Sequence, residues 1–293
     1  MDFCLTGQSL SECGNHAFKT QLLKWVGNKQ RFASEIISYF PQDYETYYEP
    51  FLGSGAVMAT LCPKRGVGSD IFAPLMEIWF KLKEDPETLK HWYRENWELC
   101  QKVGKKVGYE QIKDRYNNSP NGKDLLYLCR SCYGGVVRFR KKDGFLSTPC
   151  GPHTPIHPDS FDQRVDIWSN RFLNVTVKNV GYQEIFKTAK KGDLIYCDPP
   201  YSHSQSILYG GQDFSLDELL DEIARAKSKG VFVALSIDGS KKSGYVECNL
   251  PIPKGLFERE VWVNVGHSML RRFQLEGQTL RHEQVQDRLL LTY

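Results

Sequence analysis

The chain has 293 residues, of which 41% are hydrophobic, 13% aromatic and 25% charged. Those proportions suit a packed globular protein and exclude a disordered or low-complexity one. The length fits one large domain, or one domain carrying a sizeable insertion. No apolar run approaches the roughly 20 residues that cross a bilayer, and the first 16 residues lack the basic-then-apolar pattern of a secretory signal. Nine cysteines without a regular framework read as reduced thiols, so a cytoplasmic location and no membrane partner are expected. Net charge is only +3, but residues 101–142 hold eleven Lys or Arg against three acids; this local balance of +8 leaves the rest of the chain at −5. Basic residues interleaved with aromatics and glycines, as in RSCYGGVVRFRKKDGF, read as a phosphate-binding face rather than an ordinary solvated helix.

Taken in chain order, Lys24-Trp25-Val26-Gly27-Asn28-Lys29-Gln30-Arg31 leads into a predicted helix over 28–40. An aromatic and two lysines beside Gly27 suit closure over a small ligand. A predicted strand over 46–50 runs into Glu49-Pro50-Phe51-Leu52-Gly53-Ser54-Gly55-Ala56. The two glycines permit a tight turn and close ligand approach, although the pattern falls short of the dinucleotide fingerprint. A helix is expected from Gly55 onward. The next predicted strand, 66–70, ends at Asp70, an acid placed to accept both hydroxyls of a ribose.

From about Lys81 to Phe172 the signals are helical and then hairpin-like, with KKDG at 141–144 as a turn between VVRFR and FLSTP. This middle reads as an insertion between two halves of one sheet, with residues 1–80 and 173–293 forming the main domain and 81–172 the insertion. Strands are predicted over 173–180, 193–197, 231–237, 259–265 and 287–293, and a helix over 215–230 with Ser215 at its N-cap and Gly230 at its end. Alternating strands and helices imply a parallel, doubly wound α/β sheet, with one antiparallel strand expected at an edge among the last strands.

The most specific signal follows the strand Leu194–Cys197: Asp198-Pro199-Pro200-Tyr201. It places a carboxylate at the carboxyl end of the sheet, where open α/β folds hold their ligands. Two prolines remove two N–H donors, so the turn offers carbonyls and a carboxylate but little donor capacity. An exocyclic aromatic amine is a poor nucleophile because its lone pair is delocalised into the ring. The Asp198 carboxylate and the Pro199 carbonyl can hold its two hydrogens and let the lone pair localise, while Tyr201 supplies a stacking face for the base.

In this order the motifs resemble those of the Dam-type (D12-class, group alpha) DNA adenine-N6 methyltransferases, over about residues 23–293. The resemblance implies a Rossmann-like S-adenosylmethionine-dependent methyltransferase sheet with an inserted helical and hairpin DNA-recognition domain. It implies S-adenosylmethionine as cofactor, and methyl transfer to N6 of a flipped-out adenine in double-stranded DNA. Trp25, Lys29, Phe51, Gly53, Gly55, Asp70 and Asp198 then match cofactor-binding positions, and Asp198, Pro199 and Tyr201 the catalytic motif. Tyr133 and Val136 correspond to residues that enter the base stack, and Arg138 to a guanine reader, arginine being the commonest partner of guanine O6 and N7. Arg130, Arg140 and Lys141 from the same basic stretch, and Arg271 and Arg272 between the last two strands, are assigned to DNA binding, the last pair to phosphates. Gly134 replaces the family's usual Asn and Cys150 a usual aromatic, which leaves the target open between GATC and a related adenine-containing site. The implied setting is a bacterial or phage-encoded enzyme, working alone or beside a cognate restriction endonuclease.

Four other readings compete. Cys129-x2-Cys132 with Cys150-x2-His153 has the spacing of a Cys3His zinc ribbon, but Cys129 falls on an apolar helical stretch and the family carries no metal there, so none is expected. Enzymes acting on RNA adenine, cytosine N4 or a glutamine amide tend to carry Asn or Ser where Asp198 stands. A catalytically silent DNA-binding protein on the same fold would have lost the glycine loop or the acid, and both are present. An NAD-linked oxidoreductase is disfavoured by the incomplete glycine fingerprint.

Overall fold

The strands are Tyr47–Glu49 (β1), Gly66–Ser69 (β2), Val175–Lys178 (β3), Leu194–Cys197 (β4), Phe232–Asp238 (β5), Ser240–Lys241 (β6), Val246–Glu247 (β7), Arg259–Gly266 (β8) and Val285–Leu291 (β9), and β-branched or aromatic residues recur in β3, β4 and β5. The helices are Ala33–Ser38 (α1), Ala56–Leu61 (α2), Ala73–Glu84 (α3), Pro86–Val103 (α4), Lys105–Asn118 (α5), Gly122–Ser131 (α6), Pro158–Arg171 (α7), Tyr182–Thr188 (α8) and Leu216–Ser228 (α9). The structure, a computed structural model, describes residues 18–200, 214–238, 240–241, 246–247, 252–266 and 285–293.

Seven strands pair in the order β3-β2-β1-β4-β5-β9-β8, and β6 pairs with β7 separately. The first five are mutually parallel, whereas β9 runs antiparallel to both β5 and β8. The reversed strand therefore lies inside the sheet, with β8 outside it, which corrects the expectation that it forms an edge. Between β1 and β4 the strand order changes direction, and the crevice at such a point is where open α/β sheets bind ligands.

β4 shows why the sheet is covered on both faces. All four of its residues are buried, Leu194 and Tyr196 joining one apolar core while Ile195 and Cys197 join the other. This is the period-two alternation of a central strand. The second core is roofed by Leu219, Leu220 and Ile223 of α9 with Phe186 of α8. α9 begins as its sequence dictates, the Ser215 hydroxyl accepting the Glu218 N–H at 3.3 Å.

The first core is larger, running from Tyr47 and Leu194 on the sheet to Tyr93, Tyr109 and Tyr116 on α4 and α5. Its aromatics stack closely: Trp79 on Phe172 at 5.1 Å and Tyr93 on Phe161 at 4.1 Å between centroids. The buried hydroxyls of Tyr93 and Tyr109 donate to the carbonyls of Ile156 and Thr148, both at 2.8 Å. Position 81, where the sequence suggests that the middle begins, lies in the last turn of α3; the chain breaks at Asp85, whose carboxylate caps α4 through Thr88 while Pro86 opens it. The expected hairpin is present, with Phe139 bridged to Leu146 and Gly144 in the left-handed region at φ 66°.

The helix expected over 28–40 is confined to Ala33–Ser38. Gly27 has φ 74°, the Asn28 N–H turns back to the Trp25 carbonyl, and the Asn28 side chain accepts the Gln30 N–H at 2.7 Å. Such local side-chain bonds compete with helix formation. Among the described residues, no helix is long and apolar enough to cross a membrane.

Candidate active site

A cleft opens at the carboxyl ends of β1 and β4, lined by Trp25, Lys29, Glu49, Phe51, Gly53, Tyr196, Asp198 and Pro199 among others. Six of these, Trp25, Lys29, Phe51, Gly53, Asp198 and Pro199, are positions given a site role on the sequence. They arrive from three segments: the turn before α1, the loop after β1 and the turn after β4.

The loop after β1 is held from beneath. The Gly53 N–H donates to Asp70 Oδ2 and the Phe72 N–H to Oδ1, each at 3.1 Å. The Trp79 indole N–H donates to the Gly53 carbonyl at 3.1 Å. Asp70 is buried, and burial is the main influence raising its carboxyl pKa, with the backbone N–H bonds opposing. In this structure Asp70 is a clamp on the glycine loop and does not line the cleft. Gly53 and Gly55 both take positive φ, 46° and 62°. Gly55 faces away from the cleft: a Cβ there would stand 3.0 Å from Trp79 Cη2 and 3.1 Å from Phe172 Cζ. Its necessity is one of packing and backbone conformation.

Phe51 stacks on Tyr182 at 5.4 Å and meets Phe214 edge-on at 5.9 Å. The Trp25 ring lies 6.1 Å from that of Phe72. These contacts fix two flat aromatic faces on the cleft wall.

Charge concentrates at the floor. Lys29 Nζ stands 3.0 Å from Asp198 Oδ1 and 3.2 Å from Asp287 Oδ2, and only 6% of the lysine side chain is exposed. Glu49, at the end of β1, accepts the Tyr47 hydroxyl at 3.0 Å. Burial, above all, raises the Glu49 carboxyl to about 8; the negative charge of Asp198 adds to this, while bonds from Tyr47 and the Met58 backbone pull it down. Two carboxylates thus flank one ammonium, and Glu49 lines the same cleft. Asp287 was not singled out from the sequence, because its strand reads simply as apolar. Its signal is an acid in a buried alternating strand, which demands a partner.

The basic middle distributes its expected DNA contacts unevenly. Tyr133 is exposed, at 40%, and Lys141 is exposed at the hairpin turn. Arg138 is half-buried, and its N–H donates to Thr148 Oγ1 at 2.8 Å. Arg140 grips Asp143 through two bonds, of 3.1 and 2.9 Å, and stacks on Phe145. Two assignments change. Val136 is only 1% exposed, so its side chain is part of the interior here rather than a projecting wedge. Arg130 is buried too, donating to the carbonyls of Gln21 and Leu22 at 3.1 and 2.7 Å; it fastens the segment ahead of Trp25. Lys24 packs beneath the same hairpin, where a Cβ on Gly135 would meet its Cδ at 3.1 Å. Burial, followed by Arg130, lowers the Lys24 pKa. Tyr201, Arg271 and Arg272 lie outside the described residues.

Of the four residues with zinc-ribbon spacing, Cys132 and Cys150 are joined by an isolated antiparallel β-bridge. The Cys129 thiol turns to the Leu126 carbonyl at 3.3 Å, the Cys132 thiol to that of Cys129 at 3.8 Å, and His153 is exposed. Among the described residues, no group of three or more His, Cys, Asp or Glu is arranged to hold a metal ion.

Comparison with known proteins adds to this geometry. The family model described as D12 class N6 adenine-specific DNA methyltransferase matches residues 25–254. The DNA adenine methylase of Vibrio cholerae serotype O1 is 30% identical over 227 residues, covering 73% of this chain and 79% of that protein. The type II methyltransferase M1.LlaDCHI of Lactococcus lactis subsp. cremoris is 26% identical over 235 residues, covering 74% and 80%. M.MjaIII, a type II methyltransferase of Methanocaldococcus jannaschii, is 28% identical over 229 residues, covering 70% and 77%.

Proposed function

The chain belongs to the D12 class N6 adenine-specific DNA methyltransferases, and from that premise we propose that it methylates adenine N6 within a specific duplex sequence, GATC or a related adenine-containing site, after flipping the base out of the helix. The observation that carries this reading is the cleft itself, which brings Asp198 and Pro199 beside Phe51, Gly53, Trp25 and Lys29 at the switch point of the sheet. Its donor set suits S-adenosylmethionine. Carboxylates outnumber the single lysine at the floor, as a cation requires, and aromatic faces with a left-handed glycine loop suit close approach of a nucleoside. Trp25, Phe51 and Gly53 would hold it, with Asp70 supporting the loop from behind, and when bound it supplies a methyl group on positively charged sulfur.

The chain's own residues do the rest. The Asp198 carboxylate and the Pro199 carbonyl accept the two hydrogens of the adenine amine. Its lone pair is thereby turned toward the methyl carbon, and Asp198 is the base within reach of the proton that nitrogen must lose as the new bond forms. Preorganised acceptors and positioning carry the rate, at about 3 to 5 kcal/mol for such a contact. Flipping costs a few kcal/mol of unstacking, which the basic hairpin offsets through the backbone. The type II relatives favour a role as the modification half of a restriction–modification pair.

Asp198→Ala is expected to lower labelled-methyl transfer to duplex DNA by about a hundred- to a thousandfold or more while DNA affinity stays within a few-fold. Near-normal turnover in that variant removes the amine-acceptor role. Methylation-sensitive sequencing of DNA from cells expressing the chain identifies the site.

A further inference from the structure

Lys29 joins two acids that the chain brings from distant elements: Asp198 from the turn after β4, and Asp287 from β9. Nζ lies 3.0 Å from one and 3.2 Å from the other, with side chains only 6%, 17% and 10% exposed. At this depth solvent screens the three charges weakly. An ammonium given wholly to one carboxylate neutralises it and weakens it as a hydrogen-bond acceptor. Divided between two, it orients both and neutralises neither. Asp287 is also anchored: it pairs in register with Asp238 on β5 and Val263 on β8, inside the sheet. The lysine is therefore tethered from the β9 side, and Asp198 is placed by a group that cannot follow it.

We propose that Asp287 is a positioning residue for methyl transfer, acting through Lys29 to fix the Asp198 carboxylate and to keep it from being fully neutralised. This rests on the role given to Asp198 above. Asp287 itself is not among the residues that line the cleft. Its effect belongs to the transfer step and leaves ligand binding almost unchanged.

The test is single-turnover transfer from labelled S-adenosylmethionine to DNA lacking N6-methyladenine, with the dissociation constants of both ligands measured in parallel. D287N is expected to slow the transfer step by about ten- to a hundredfold, with both constants within about threefold of the original. D287E, which keeps the charge, recovers most of the loss. In a K29M background, D287N causes no further loss, because the path through the lysine is already cut. Thermal melting checks that each variant is folded, and D287S replaces D287N should that variant fail to fold. The inference is overturned if D287N transfers at the original rate while Asp198→Ala is inactive. It is equally overturned if the D287N loss persists undiminished in the K29M background, or lies wholly in cofactor affinity. Should Asp198→Ala itself remain active, the underlying reading of the site fails instead.

Discussion

Glu49 and Asp198 sit in one cleft with opposite requirements. Glu49 is fully buried, and burial raises its carboxyl from 4.5 to about 8 even though the tyrosine hydroxyl it accepts pulls the other way. At neutral pH it is largely protonated, which removes a competing negative charge from beside Asp198. The linkage to stability has a definite sign. An acid with a raised folded-state pKa binds its proton more tightly when folded, so its contribution is whole below about 4.5 and is lost as pH rises through about 8. Melting temperature should therefore fall by several degrees between pH 5.5 and pH 8.5, roughly 2 °C per kcal/mol for a chain of this size. In Glu49→Gln, which stays neutral, that fall should be clearly smaller; an equal fall in both proteins would show that Glu49 is not the titrating group. Arg130 teaches a different lesson at the same scale. Its charge and its place in a basic stretch mark it for a phosphate, yet two backbone carbonyls and the Phe161 ring absorb it. Sequence reports that an arginine is present, and only packing reports where its guanidinium points.

The loop after β1 shows what an element demands of single positions. Gly55 combines φ 62° with an aromatic wall about 3 Å from where a Cβ would sit. Gly55→Ala is expected to cost about 1 to 3 kcal/mol in left-handed strain and overpacking, read as a lower melting temperature, and to loosen S-adenosylmethionine binding by displacing Gly53. A variant with unchanged melting and affinity would show that the loop adapts freely. The strands around this loop were readable because β-branched and aromatic runs bounded by Gly, Pro or Asp leave few alternatives, and the turn after β4 because two prolines fix it. α9 was readable through its cap. The segment over 28–32 was not: Lys29 and Gln30 are good helix formers, and the Asn28 side-chain bond and the Gly27 turn override that propensity. Asp287 was hidden for a related reason. In DRLLLTY the apolar residues dominate the pattern, and the acid's partner lies far away in sequence, on the turn before α1.

Across the whole molecule, charge is divided by position. The helical middle with its hairpin carries the positive excess, while the cleft floor at the end of the sheet gathers acids. Such a division suits a long polyanion on one side and a small cation within. DNA binding should weaken as salt rises from about 50 to about 200 mM, because each neutralised phosphate releases counterions. Lys141→Ala is expected to reduce the slope of log affinity against log salt by about one. Arg140→Ala should reduce it by less, since Asp143 already holds that guanidinium through two bonds. Equal effects would mean that the Arg140–Asp143 pair opens when DNA arrives.

The reversed strand has a consequence for how the protein is made. Among the described strands β9 comes last in the chain, and it carries Asp287 in between β5 and β8. A nascent chain that has already emerged through β4 holds Lys29 and Asp198 but lacks the third member of their cluster. A chain cut short upstream of β9 would thus hold Lys29 against one of these two acids only, and its sheet would lose the strand that joins β5 to β8.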